Sequence, residues 1–138
     1  MNTFLPYESF SLSAQVLDRQ RLGKQRVEVY QMLRSLVGES SGWLNHPCTR
    51  MWDGYEAALA EYGLAVCDEW IARGYNDTCR EKIGRIRDRL GAVVLPDWMG
   101  DTTFHLSHMS NLLRKNPDWY VSRFPVCVSH DAPYVWPV

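Results

Sequence analysis

Apolar residues recur at three- and four-residue steps along most of the chain and nowhere in sustained alternation, so the pattern predicts helices and no sheet. The first predicted helix starts near Ser11 or Ser13, either of which suits a cap, and runs to about Leu36 before Gly38. Val29, Met32, Leu33 and Leu36 mark its buried face, while Gly23, worth about 1 kcal/mol less than Ala in a helix, is a candidate break. Residues 38–46 read as a loop, and Pro47 suits the first position of a second helix. There Met51, Tyr55, Leu59, Tyr62, Val66 and Trp70 keep the helical period up to Gly74, with Gly63 as a possible bend. A third helix, capped by Asp77 or Thr78, buries Ile83, Ile86 and Leu90 before Gly91. Residues 92–101 form a loop. A fourth helix spans about Thr103–Lys115 with Leu106, Leu112 and Leu113 inward, and a short turn follows Pro117. Residues 1–10 and the proline-containing tail from Pro125 to Val138 carry no helical period. The predicted fold class is all-α.

Composition adds scale. The 138 residues, 46% of them hydrophobic and six of them tryptophan, suffice for one core, so residues 1–138 are expected to form a single helical domain. Cys48, Cys67, Cys79 and Cys127 show no zinc or disulfide spacing. His105 and His108 lie three apart without a third ligand at a suitable distance, so no metal and no cofactor are expected. With no secretory signal and no apolar run of about 20 residues, the expectation is a cytoplasmic monomer, in a cell or a virus-infected one, with no membrane contact.

The formal net charge is −1, which does not advertise a polyanionic partner. Its distribution does. Arg19, Arg21, Lys24, Arg26 and Arg34 accompany Glu28 in the first helix, and Arg80, Lys82, Arg85, Arg87 and Arg89 cluster in the third, with an acidic stretch between Asp53 and Asp77. Two basic patches can grip phosphates in a molecule whose total charge is near zero. Ordinary solvated helix faces would give the same pattern.

Glu28 stands out among these cations. Arg21, Lys24, Glu28 and Gln31 share one helix face, beside the apolar stripe that begins at Val29. One carboxylate held among cations at the rim of a core suits a reaction that develops positive charge on a sugar or removes a proton from carbon. The plain alternative is a Lys24–Glu28 surface pair worth a few tenths of a kcal/mol. His46 and Arg50 flank Pro47 at a helix start, where backbone N–H groups favour a phosphate, although a packed corner explains them equally well.

The run from Leu17 through Asp18, Arg19, Gln20, Arg21, Leu22, Gly23, Lys24, Gln25, Arg26 and Val27 to Glu28 resembles the first-helix motif of the pyrimidine-dimer DNA glycosylases of the endonuclease V type. Residues from Asp68 to Asp77, with Arg73-Gly74-Tyr75-Asn76 at their centre, are similar to that family's second motif. Residues from Ser107 to Tyr120, ending Asn116-Pro117-Asp118-Trp119-Tyr120, are similar to its third. The resemblance implies a helical domain whose first helix and amino-terminal arm enter bent, damaged double-stranded DNA. It implies removal of a cyclobutane-dimer base by the chain's α-amine, an imine at the sugar C1′, and strand cleavage by β-elimination.

By position Glu28 takes the role of the family's glutamate, and Arg21 and Arg26 fall near its phosphate-holding residues, with Arg19 beside them. The amine belongs to Met1, or to Asn2 if Met1 is removed, with Lys24 as the other candidate; asparagine after a starting methionine favours retention of the methionine. Trp119 and Tyr120 become candidate DNA-contacting aromatics through the third motif. Two other classes fit the residues without that resemblance: a module that binds distorted or modified DNA without cutting it, and an enzyme for free nucleotides or bases.

Overall fold

Seven helices and no strand form in the computed structural model, which describes residues 1–138. Helix α1 spans Phe10–Val16, α2 Arg19–Leu36, α3 Pro47–Arg50, α4 Glu56–Ala72, α5 Cys79–Asp88, α6 Thr102–Lys115 and α7 Pro117–Tyr120. Helix α4 is the central element: α1, α2 and α5 all pack on it, and α2 also meets α5. The apolar stripes meet there, so Leu22, Val29, Met32, Leu33, Leu59, Tyr62, Val66 and Ile83 are fully buried. Gly63 lies inside α4 and does not divide it. A Cβ there would sit 2.6 Å from a Val29 methyl, so the missing side chain is what lets α2 approach α4.

The first break falls elsewhere than the sequence predicts. The chain caps α1 with Ser9, ahead of both predicted caps, and interrupts the helix at Leu17–Asp18 instead of Gly23. Tyr120 explains the position. Its hydroxyl accepts the Asp18 N–H at 2.9 Å and lies 2.5 Å from Asp18 Oδ1, drawing off the backbone group a continuous helix would use. Gly23 stays helical and makes room for Trp70, whose ring edge comes to 3.0 Å of where a Cβ would be.

The second predicted helix is also divided, at Gly54, where φ is +88°. His46 caps the short α3 by accepting the Cys48 N–H at 3.0 Å. Asp77 and Asp101 similarly receive N–H groups at the starts of α5 and α6. Leu106, predicted inward, is 42% exposed. The arm and the tail are irregular, as their sequences predict, but residues 2–6 of the arm are buried. No helix is long and apolar enough to cross a membrane.

Candidate active site

The arm enters the interior as extended chain, and side chains satisfy its backbone in place of a ladder or helix. Gln25 projects from the core-facing stripe of α2, donating from Nε2 to the Asn2 carbonyl at 2.6 Å and accepting the Phe4 N–H at 2.7 Å. The Tyr62 hydroxyl lies 2.5 Å from the Phe4 carbonyl and 3.0 Å from Gln25 Oε1, with one proton to share between them. Trp52 Nε1 donates to Thr3 Oγ1 at 3.0 Å.

Two histidines of α6 hold the next residue. His108 Nδ1 accepts the Leu5 N–H at 3.0 Å, and His105 Nδ1 meets the Leu5 carbonyl at 2.8 Å while its Nε2 accepts the Gly100 N–H at 3.0 Å. That pattern fixes a tautomer for each ring: Nδ1–H on His105 and Nε2–H on His108. The histidine pair is therefore a backbone clamp. Burial, and secondarily the neighbouring His105, lowers the pKa of His108 to about 3.

The arm delivers its first residues to Glu28. The Asn2 nitrogen donates to Glu28 Oε2 at 3.0 Å, and Lys24 Nζ lies 3.9 Å from Oε1. The Glu28 side chain is 16% exposed against 73% for Lys24, so the carboxylate sits at the rim of the core and the ammonium in solvent. A cleft of about 250 Å3 opens above them, lined by Met1, Asn2, Arg21, Lys24, Glu28 and Lys115, with Tyr134 and Trp136 of the tail on its wall. Lys24, Lys115 and Arg21, the last paired with Asp18 at 3.1 Å, give the cleft a cationic lining beside Glu28 and the amino terminus, which suits an anionic substrate whose reacting carbon accepts an amine.

His46 is electrostatically part of this site. Burial lowers its pKa, the amino-terminal charge lowers it further, and the Glu28 carboxylate opposes both. Its ring stands edge-on to Trp43 and to Trp136, with centroids 5.9 and 6.0 Å away. Cys48, the nearest thiol to the arm, is pushed up to about 12 by burial, which leaves it a poor nucleophile.

A family model described as pyrimidine dimer DNA glycosylase matches residues 1–82, which carry the arm, Glu28 and the central helix. The chain belongs to the pyrimidine dimer DNA glycosylase family. No curated protein and no solved structure matches it. The family acts on pyrimidine dimers in DNA, which makes DNA the substrate class of this chain. Cleft residues Lys115, Tyr134 and Trp136 come from outside the matched span.

The structure thus brings together Met1, Asn2, Arg21, Lys24 and Glu28, and places His46 beside them. Other sequence candidates lie apart. Arg26 is turned away from solvent, its guanidinium 2.5 Å from Asp77 and 4.4 Å above the Trp70 ring, so it braces α2 against α5 instead of reaching a phosphate. Arg19 leans on Tyr75 and shares a separate shallow depression with Trp119. Arg50 is exposed at the end of α3. Tyr120 is fully buried against Asp18, and Trp119 Nε1 donates to the Val16 carbonyl at 2.7 Å. Both aromatics hold the α1–α2 junction; the Tyr120 ring is fully buried, while Trp119 is half-buried, with the Arg123 guanidinium 3.6 Å from its ring centroid.

Sequence reasoning missed Gln25. Its signal was present: Leu22, Gln25, Val29 and Met32 follow core spacing, so a polar residue occupies a core position.

Proposed function

We propose that this protein couples removal of a damaged pyrimidine base to cleavage of the resulting abasic site, using an amino-terminal amine and Glu28. The observation that carries the reading is the 3.0 Å hydrogen bond from the Asn2 nitrogen to Glu28 Oε2. In the chain that begins at Met1 this nitrogen is an amide and no nucleophile. The Met1 amine, one residue further out, lines the same cleft. Removal of Met1 would turn the Asn2 nitrogen itself into the α-amine, already against the carboxylate.

The chemistry follows from that pairing. The neutral amine attacks C1′ of the damaged nucleotide, the C1′–N bond to the base breaks, and the base leaves with the bonding pair and takes up a proton. Loss of the ring oxygen from C1′ gives an iminium. Glu28 stabilises the cationic sugar and then removes a proton from C2′, and the electrons expel the 3′ phosphate. Arg21, Lys24 and Lys115 would hold the phosphates flanking the reacting sugar, with His46 and Arg50 further along the backbone. An α-amine is intrinsically less basic than a lysine side chain, which favours it as the nucleophile. Lys24 is the alternative nucleophile.

Borohydride trapping tests the reading. A duplex carrying one thymine dimer should give a covalent adduct, and peptide mapping should place it on residue 1 or 2. An adduct mapped to Lys24 would move the nucleophile to that side chain. No adduct from folded protein, with dimer or abasic duplex, would overturn the amine mechanism.

A further inference from the structure

Two cations on the same helix face line the cleft and are held on different terms. Lys24 stands 73% exposed with Nζ 3.9 Å from Glu28, a loose contact at the end of a flexible stem. The Arg21 side chain is only 20% exposed and is tied from behind: Nη1 donates to Asp18 Oδ2 at 3.1 Å and reaches Gln20 Oε1 at 3.4 Å. Both bonds leave from one nitrogen. The other edge of the guanidinium, Nη2 and Nε, takes no partner within the protein, and the side chain lines the cleft. Two parallel N–H groups on such an edge match two oxygens of one phosphate.

Asp18 is itself held. It is buried, its second oxygen Oδ1 accepts the Tyr120 hydroxyl at 2.5 Å, and that hydroxyl accepts the Asp18 backbone N–H at 2.9 Å. One phenol therefore grips residue 18 at its backbone and at its carboxylate, which sets the carboxylate's torsion and leaves Oδ2 turned to Arg21. Burial, and then the bond to Asp18, raises the Tyr120 pKa, so the phenol stays protonated and keeps donating. Tyr120 lies beyond the span that the family model matches. The break between α1 and α2 needs only the bond from the Asp18 N–H. The phenol–carboxylate and carboxylate–guanidinium bonds go further and lead outward to the cleft. An arginine anchored in this way loses little further freedom when it meets a phosphate.

We propose that Asp18 and Tyr120 are positioning residues for DNA binding, orienting the Arg21 guanidinium toward a phosphate beside the reacting sugar. The proposal rests on the reading of the cleft as a phosphate site and names what aims one of its cations. Arg21 meets the phosphate already paired with Asp18, so it contributes direction more than charge. The sign of one substitution separates the two. On charge alone, removing a carboxylate from beside a phosphate site strengthens binding. Where that carboxylate aims the arginine, its removal weakens binding.

Asp18→Asn keeps an acceptor for the Tyr120 hydroxyl and the backbone N–H that the hydroxyl receives, so the start of α2 is preserved. Tyr120→Phe keeps the ring and deletes the hydroxyl. Each is made in the wild-type protein and in Arg21→Ala, with folding followed by thermal melts. Dissociation constants are titrated for a thymine-dimer duplex at one salt concentration, and single-turnover cleavage is timed at saturating protein. Asp18→Asn should weaken binding about fivefold to tenfold and Tyr120→Phe about threefold, with the saturating rate little changed. Arg21→Ala should bind weakly by itself, and in that background neither substitution should weaken binding further. Unchanged or tighter binding by folded Asp18→Asn, wild-type affinity in Arg21→Ala, or losses that persist in full without Arg21 would overturn the proposal. If Tyr120→Phe fails to fold, Asp18→Asn decides alone. Two controls keep the readings apart. Wild-type binding that does not weaken as salt rises removes the phosphate site and the positioning with it. Coupling of Asp18 to Arg21 without a borohydride-trapped adduct removes the amine mechanism and leaves the positioning in place.

Discussion

The two ends of the chain wall the same cleft and are held there on different terms. Arm residues 2–5 are buried, and their backbone is satisfied by Gln25, Glu28, Tyr62, His105 and His108. Apart from the buried Val128, the tail is exposed or half-exposed. Side chains of α6 hold it: Arg114 reaches the His130 and Ala132 carbonyls at 2.9 Å each, and Ser110 accepts the Ala132 N–H at 3.0 Å. Both segments replace secondary structure with side-chain-to-backbone bonds. In the dry interior a broken bond leaves an unsatisfied group that water cannot reach, whereas at the surface water takes its place. The arm is therefore fixed to within a hydrogen bond of Glu28, and the tail is free to adapt. The proposed amine mechanism, which aims one nitrogen at one carbon while admitting a large, deformable polymer, calls for both.

The sharpest way to break this comparison is at the point the arm reaches. Glu28→Gln keeps an acceptor for the Asn2 N–H and removes the charge and the base. Cleavage of a thymine-dimer duplex should fall by about 10²–10⁴-fold, with duplex binding retained. Single-turnover nicking beside a gel-shift titration checks it, and nicking within a few-fold of wild type would take Glu28 out of the chemistry. Next comes the clamp. Gln25→Leu fills the same space but strands the Asn2 carbonyl and the Phe4 N–H, a loss of roughly 2–6 kcal/mol in urea unfolding at 1–3 kcal/mol per buried unsatisfied group. Its surviving folded fraction should show reduced kcat with little change in KM, because the amine's aim is disturbed and the phosphate contacts are not. Full stability would mean that the arm is held by its apolar contacts alone.

Much of the fold was legible because it rests on local period. The stripes along α2 and α4 and the turns at Gly38 and Gly74 follow from rules that reach no further than a few residues, whereas the division at Gly54 was not read. The break at Leu17–Asp18 was not legible, since its cause is a tyrosine about a hundred residues away. The same holds for the site. Glu28 with Arg21 and Lys24 could be read from helix spacing, but the burial of the arm depends on groups from α2, α4 and α6 that no local pattern connects. The phosphate-binding candidates on α2 divided by angle: Arg21 faces the cleft, while Arg26 faces Asp77 and Trp70. Sequence spacing gave their separation around the helix without saying which side would be open.

Acid should separate the two ends with an intermediate effect. His108 stays neutral in the fold down to about pH 3, whereas an unfolded histidine takes up its proton near 6.5. Between these values the unfolded chain binds more protons, so this contribution is fully present above about pH 6.5 and is lost progressively as the pH falls toward 3. The span corresponds to roughly 4–5 kcal/mol at its acid limit and about half of that by pH 5. Urea titrations at pH 7 and pH 5 should show the loss, and His108→Gln, which cannot titrate, should flatten it. Equal pH dependence in the two proteins would place the acid sensitivity elsewhere.

The smallest stability effect is expected at the tail. Arg114→Ala removes the bonds to the His130 and Ala132 carbonyls, but these groups lie at a surface where water replaces the guanidinium, and the loss should stay below about 1 kcal/mol. Its functional trace should still be visible, because the tail carries Tyr134 and Trp136 on the cleft wall. Loosening that wall leaves the arm, the Asn2 nitrogen and Glu28 where they are, so KM for a dimer duplex should rise several-fold while kcat holds. Limited proteolysis should meanwhile cut the tail faster than in wild type. A kcat loss like that of Gln25→Leu, from a protein of unchanged stability, would show that the tail positions the reacting groups and that the division between a rigid and an adaptable wall is wrong.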